Sequence, residues 1–149
     1  MKKLKNLILI PLLTLCVIVA ACGQIKTGKT ASPNDGAPAD SVLVAQSAFS
    51  PLNNKDVSGA AELYRVTSNN TLTVRLVGIS VPSETGLKMV VTENGSLVYS
   101  EQLKSTSGTE NYPTSLAGTK RVDGVFIRSS SNVDYGKAAF NIPLPSDDY

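Results

Sequence analysis

Apolar residues alternate with polar ones through the middle of this 149-residue chain, and that period of two restricts it to extended structure. Residues 71–76 follow the alternation, which places Thr73 and Arg75 on the face that points away from the core. Residues 87–91 repeat it. Gly78 shifts the phase within the first of these strands, which Ile79 and Val81 continue, and therefore predicts a β-bulge.

Turn residues separate this pattern into short strands. Asn94-Gly95 favours a type I′ hairpin turn, because both central residues of such a turn need positive φ. Further strands are predicted in segments bounded by Ser, Asn, Gly or Pro, namely residues 60–66, 98–99, 122–127 and 138–142. Outside the N-terminal segment, no window predicts an amphipathic helix. The fold class predicted is all-β, a small antiparallel β-sandwich formed by residues 41–149.

The N-terminus has the composition of an export signal. Residues 1–6 (MKKLKN) are basic, and residues 7–21 are apolar except for Pro11 and Thr14. A helix that spans a membrane needs about 20 apolar residues, so a permanent transmembrane anchor is the weaker interpretation.

The end of this segment resembles the lipobox of bacterial lipoproteins. Val19-Ala20-Ala21-Cys22-Gly23 places two small residues before a cysteine. The resemblance implies a signal peptide over residues 1–21, cleavage between Ala21 and Cys22, and lipidation of Cys22. Several acyl chains anchor a protein to a membrane stably where one does not. An ordinary cleaved signal with an incidental cysteine is the alternative.

The lipobox implies a location in the cell envelope, with the domain facing outside the cytoplasm. Gly23 does not match the aspartate that commonly retains lipoproteins in the inner membrane of Gram-negative bacteria. The expected location is the outer membrane in such a host and the outer face of the cell membrane in a Gram-positive one.

Residues 22–40 are predicted to be a flexible tether between the lipid and the domain. They are almost all Gly, Ala, Ser, Thr, Pro, Asn, Asp and Lys, without a periodic apolar face, and such a segment buries too little surface to offset its loss of conformational entropy. A calcium loop at Asn34, Asp35 and Asp40 has too few carboxylates and the wrong spacing.

The composition excludes several kinds of chemistry. There is no histidine, Cys16 lies in the signal segment and Cys22 takes the lipid, so sites built on imidazole or a free thiol are excluded, zinc sites of that kind included. Met89 lies on the apolar face of its strand and is predicted to be core rather than a haem ligand. We therefore expect no enzyme, no metal site, no catalytic residue and no cofactor.

The net charge gives no reason to expect a nucleic-acid partner. Of 14 basic residues, Lys2, Lys3 and Lys5 leave with the signal, so 11 remain against 12 acidic residues and the mature charge is −1. A small basic edge at Lys104, Lys120 and Arg121, for contact with an anionic lipid or a partner, is one interpretation, and a solvated loop that protects an edge strand is the favoured one. Four glutamates are expected to be solvated near turns or strand ends: Glu84, Glu93, Glu101 and Glu110.

The order of segments from Val57 to Phe140 resembles the DM13 domain, a small β-sandwich related in architecture to the DOMON family and often labelled an electron-transfer domain. The segments that carry the resemblance are SGAA at 58–61, LTVRL at 72–76, ETGLKMVV at 84–91, LKSTSGTENY at 103–112 and YGKAAF at 135–140. The third lacks the Pro-Asp pair of the family, and the fourth is expected to form a loop.

One departure from the DM13 pattern concerns redox chemistry. Members with a proposed redox role carry Trp-Cys on the penultimate strand, where this chain has Ile127-Arg128. Thiol redox chemistry is therefore absent at this position.

The function expected is a membrane-anchored, non-catalytic module that binds an unknown protein or small molecule. The alternatives are electron transfer through a bound cofactor and a structural envelope lipoprotein.

Overall fold

A computed structural model describes residues 34–142 of the chain, and these residues form strands and connecting turns without a helix. The nine strands are β1 (Ser41–Ala48), β2 (Ser50–Pro51), β3 (Ser58–Val66), β4 (Thr71–Ser80), β5 (Lys88–Glu93), β6 (Ser96–Gln102), β7 (Ser107–Ala117), β8 (Val122–Arg128) and β9 (Asp134–Ala139). The described residues therefore contain no helix that could cross a membrane. The predicted signal peptide, Ala21 and Cys22 lie outside the described residues.

The strands form two antiparallel sheets that pack face to face. One sheet has the order β1-β3-β4-β7, and the other has the order β2-β9-β8-β5-β6. The buried side chains between them come from both sheets and are mostly aliphatic, including Leu63, Leu72, Val74, Met89 and Ile127, each 0% exposed. The predicted all-β sandwich is confirmed.

Both backbone irregularities predicted from the sequence are present. The pairing of β4 with β7 shifts register between Leu76 and Ile79, and Gly78 has φ 52°, so the bulge lies where the alternation changed phase. The turn between β5 and β6 has positive φ at Asn94 (51°) and Gly95 (74°), as a type I′ turn requires.

The last strand begins earlier than predicted. Residues 138–142 were expected to form it, whereas β9 covers Asp134–Ala139. Gly136 pairs with Ile127 inside the sheet, and a Cβ atom there would lie 2.8 Å from Cγ1 of Val57. Glycine at this position therefore permits close packing in the middle of a strand instead of marking its boundary.

Two long strands were not predicted. β1 and β7 are both edge strands, and their sequences, SVLVAQSA and SGTENYPTSLA, contain few large aliphatic residues in strict alternation. In β7 the buried inward positions include Glu110, Tyr112 and Thr114. These side chains carry polar groups, so β7 lacks the alternation of aliphatic and polar residues from which a strand is predicted. The segment 103–112, predicted as a loop, is a strand from Ser107 onwards.

The end of the predicted tether is hydrogen-bonded to the domain. Asn34 forms a parallel bridge with Thr109, the Asp35 amide donates to the Thr109 carbonyl (2.9 Å), and the Asn111 amide donates to the Asp35 carboxylate (3.0 Å). Arg75 on β4 also donates to the Asp35 carbonyl (2.9 Å). Residues 34–36 thus lie along the edge of β7, and the folded domain begins before the predicted boundary at residue 41.

Candidate functional site

An apolar groove with a basic rim lies at the end of the sandwich where β7 passes to β8. Val44 of β1 and Ile142, beyond β9, supply its aliphatic part. Arg65 at the end of β3 and the turn 118–121, which includes Lys120 and Arg121, surround it. We call these residues the basic groove. It joins segments from both sheets that are far apart in the sequence.

Two of the three cations of the basic groove carry unneutralised charge. Lys120 forms an ion pair with Glu93 (Nζ to Oε2, 2.8 Å), and the Arg121 amide donates to the other oxygen of the same carboxylate (3.0 Å). These two hydrogen bonds lower the pKa of Glu93, with the Lys120 bond as the larger cause. Within residues 34–142, the guanidinium groups of Arg65 and Arg121 form no ion pair.

Lys104 is not part of this groove, so the single basic edge considered from the sequence does not form. Its neighbour Leu103 is hydrogen-bonded to Leu87, just before β5, whereas Lys120 contacts Glu93 at the far end of β5. The length of β5 separates the two by about 20 Å. The Lys104 ammonium instead lies 4.5 Å from the centre of the Tyr112 ring, which places it over the ring face.

Glu110 was predicted to be solvated, and this prediction is wrong, because its side chain is only 1% exposed. It points between the sheets and accepts a hydrogen bond from the Tyr112 hydroxyl, which in turn accepts one from the Lys104 amide (3.1 Å). Burial is the main cause that raises the pKa of Tyr112, and the bond to Glu110 adds to it. The hydroxyl is thus held as a donor to a buried carboxylate.

The other glutamates lie at the surface in defined contacts. Glu84 accepts hydrogen bonds from Lys55 (3.2 Å) and from the Tyr135 hydroxyl, and these bonds, with Tyr135 the larger cause, lower the pKa of Glu84. Glu101 accepts from Tyr99 (2.6 Å). Each glutamate thus has a stabilising partner. Among residues 34–142 no group of three or more acidic residues is arranged to hold a metal ion.

Two residues discussed for redox chemistry have structural contacts. Met89 is fully buried in the core, as predicted. Arg128, which the DM13 resemblance matches to a cysteine, donates to both carboxylate oxygens of Asp134 on the adjacent strand (2.6 and 3.2 Å). Such a bidentate pair joins β8 to β9.

Sequence reasoning missed the contribution of Val44, Arg65 and Ile142 to the basic groove. Lys120-Arg121 was apparent as a charged pair, but Arg65 lay near the end of a predicted strand and Val44 lay in a strand that was not predicted. Only the crossing of the chain between the sheets brings them together. Comparison with protein-family models, curated proteins and solved structures found no match for this chain.

Proposed function

We propose that this protein is a lipid-anchored, extracytoplasmic binding module without catalytic activity. The observation that carries the proposal is the sequence of the first 22 residues, in which a basic start and an apolar run lead into Ala20-Ala21-Cys22. A β-sandwich follows, to which Asn34 and Asp35, the first residues that the structure describes, are hydrogen-bonded. This order of signal, short spacer and folded domain suits a protein that presents a surface outside the membrane.

The surface best suited to binding is the basic groove. Val44 and Ile142 give it an apolar part, while Arg65 and Arg121 offer cations that no acidic residue of the described chain neutralises. Convergent charge beside apolar surface is a common composition for a recognition site.

We also propose that the domain is of DM13 type, on the segments that resemble that family. Three of them fall on strands: SGAA opens β3, LTVRL lies in β4 and YGKAAF covers most of β9. We do not extend the proposal to electron transfer, because Arg128 occupies the matched cysteine position and is paired with Asp134.

Intact mass spectrometry of protein extracted from membranes tests the anchor. The expected mass is that of residues 22–149 plus acyl chains, and Cys22→Ser should abolish both the added mass and membrane retention. Cys16→Ser is the matched control, since that residue lies in the segment to be cleaved. An unlipidated chain that begins elsewhere would refute the proposal.

A visible absorption spectrum of the same sample tests the binding module against the redox alternative. A colourless protein is expected. An absorbing cofactor that purifies in stoichiometric amount would instead support electron transfer.

A further inference from the structure

Three of the four sheet edges are protected against pairing with another strand. Residues 34–36 lie along β7. β2 has only two residues, one of them Pro51, which has no amide hydrogen to donate. In β6, Glu101 carries a charge and the Tyr99 hydroxyl reaches the Pro113 carbonyl of β7 (3.4 Å). Short strands, prolines, charges and covering segments are the usual means of preventing strand addition.

β1 lacks these protections apart from a bulge at Val44, where its register against β3 shifts between Leu43 and Ala45. It is eight residues long and contains no charged residue and no proline. It pairs with β3 on one side, and no strand among residues 34–142 pairs with its other side. Three consecutive aliphatic residues at its centre are exposed: Val42 (49%), Leu43 (44%) and Val44 (38%). A long, uncharged, apolar edge is a template on which an extended segment can add backbone hydrogen bonds.

Two cations, Arg65 and Arg121, lie next to the part of this edge formed by Val42 and Val44. Val42 pairs with Arg65, so the two side chains project from the same face of the sheet, and Val44 shares the basic groove with Arg121. An extended segment added to β1 would project every second side chain toward this face. Carboxylates at those positions would meet Arg65 and Arg121, and the aliphatic side chains between them would project to the opposite face, where Leu43 is exposed.

We propose that β1 binds an extended, acidic segment of another protein by strand addition, with the basic groove recognising its carboxylates. This inference rests on the proposed function as a binding module and names the chemistry of its partner. The basic groove adjoins Ala117 at one end of β7, and Asn34 contacts Thr109 about 27 Å away along that strand. A partner at β1 therefore leaves the contacts of residues 34–36 intact.

The probe is a fluorescein-labelled heptapeptide of alternating valine and glutamate, titrated against the full-length protein in detergent at low salt. Fluorescence anisotropy should show saturable binding that weakens as salt is raised, because the exposed charges become screened. A peptide with lysine in place of glutamate should not bind. A third peptide, with N-methyl groups on alternate amides, should also fail, since it cannot form the hydrogen bonds of a sheet.

Two protein variants locate the site. Replacing both guanidinium groups (Arg65→Ser with Arg121→Ser) should weaken binding about tenfold, as expected for the loss of two exposed ion pairs. Lys88→Ser removes an exposed cation on β5 and should leave the affinity unchanged. Thermal unfolding of each variant checks that the fold is retained. Hydrogen exchange should show new protection in β1 and none in β6 when the peptide is bound.

Four outcomes would overturn the proposal: no binding, equal binding of the lysine peptide, binding that survives N-methylation, or protection located on β6. Binding that occurs only after removal of residues 143–149 would also overturn it, since the chain itself would then occupy the edge. A protein that binds the peptide but carries no lipid would refute the anchor alone, so the two proposals fail separately.

Discussion

At the scale of single residues, Glu110 and Tyr112 form a buried polar contact between the sheets. Glutamate in a segment rich in Ser, Gly, Thr and Asn ordinarily lies at a solvated turn, yet here the segment is a strand and Glu110 faces the core. A buried carboxylate requires a hydrogen-bond donor, and the Tyr112 hydroxyl supplies it. The two residues are separated by one position, so they project from the same face of β7.

Tyr112→Phe should therefore destabilise the protein by about 1 to 3 kcal/mol, because Glu110 loses its donor and the Lys104 amide loses its acceptor. Urea unfolding at pH 7 measures the change in free energy. Tyr99→Phe is the control, since it also removes a hydroxyl bound to a glutamate, but at a partly exposed position. Equal losses in the two variants would contradict the structural role assigned to Glu110.

At the scale of strands, the backbones of β3 and β4 approach closely at Gly59. Gly59 has φ 105°, and a Cβ atom there would lie 2.7 Å from the carbonyl oxygen of Val77 and 2.8 Å from that of Gly78. The register of β3 against β4 shifts at the same place, so irregularities in the two strands face each other. The sequence indicated Gly78 because the apolar phase changed there, but nothing local indicated that Gly59 would lie against it.

Gly59→Ala should cost about 2 to 4 kcal/mol, because the new methyl group meets backbone atoms that cannot move without separating the strands, and because φ is unfavourable for alanine. Gly36→Ala is the matched control: its Cβ atom would have no neighbour within 4 Å, and we expect a change within about 0.5 kcal/mol. Urea unfolding compares the two variants. A loss of less than about 1 kcal/mol for Gly59→Ala would show that the contact can relax.

The strands predicted from the sequence are those in which aliphatic residues occupy the buried positions. β4 and β5 are central in their sheets and carry Leu, Val, Ile or Met at inward positions, so periodicity sufficed. β1 and β7 are edges, and their pairing depends on partners far away in the chain. The exposure of a side chain is harder to predict than the strand that carries it. Thr73 was predicted to face solvent, and this prediction is wrong, because the side chain is only 3% exposed in the folded domain.

At the scale of the whole molecule, the candidate site could be predicted only in part. Lys120 and Arg121 were apparent as adjacent charges, whereas the groove they border also requires Val44, Arg65 and Ile142. These residues come together because the chain passes from one sheet to the other between β7 and β8. Sequence spacing carries no information about such an arrangement without the sheet order.

Three tyrosines should make the stability of the whole domain fall at alkaline pH. Burial is the main cause that raises the pKa of Tyr64, of Tyr99 (to about 12) and of Tyr112, and a hydrogen bond to a glutamate adds to each. In the unfolded chain these hydroxyls ionise near pH 10. Above that pH the unfolded state binds fewer protons than the folded state, so the free energy of unfolding decreases as pH rises.

The decrease should begin near pH 10 and continue at least to about pH 12, where Tyr99 ionises in the folded protein. Where its hydroxyl is ionised in the unfolded chain and still protonated in the folded one, the fully buried Tyr112 alone contributes roughly 1 kcal/mol per pH unit. Urea unfolding at pH 8, 10 and 11 measures the slope for the wild type and for Tyr112→Phe. The variant starts from a lower stability but should lose less of it per pH unit, because it lacks one of the protons released on unfolding. Parallel slopes would mean that the Tyr112 hydroxyl ionises alike in both states, which the buried contact with Glu110 does not allow.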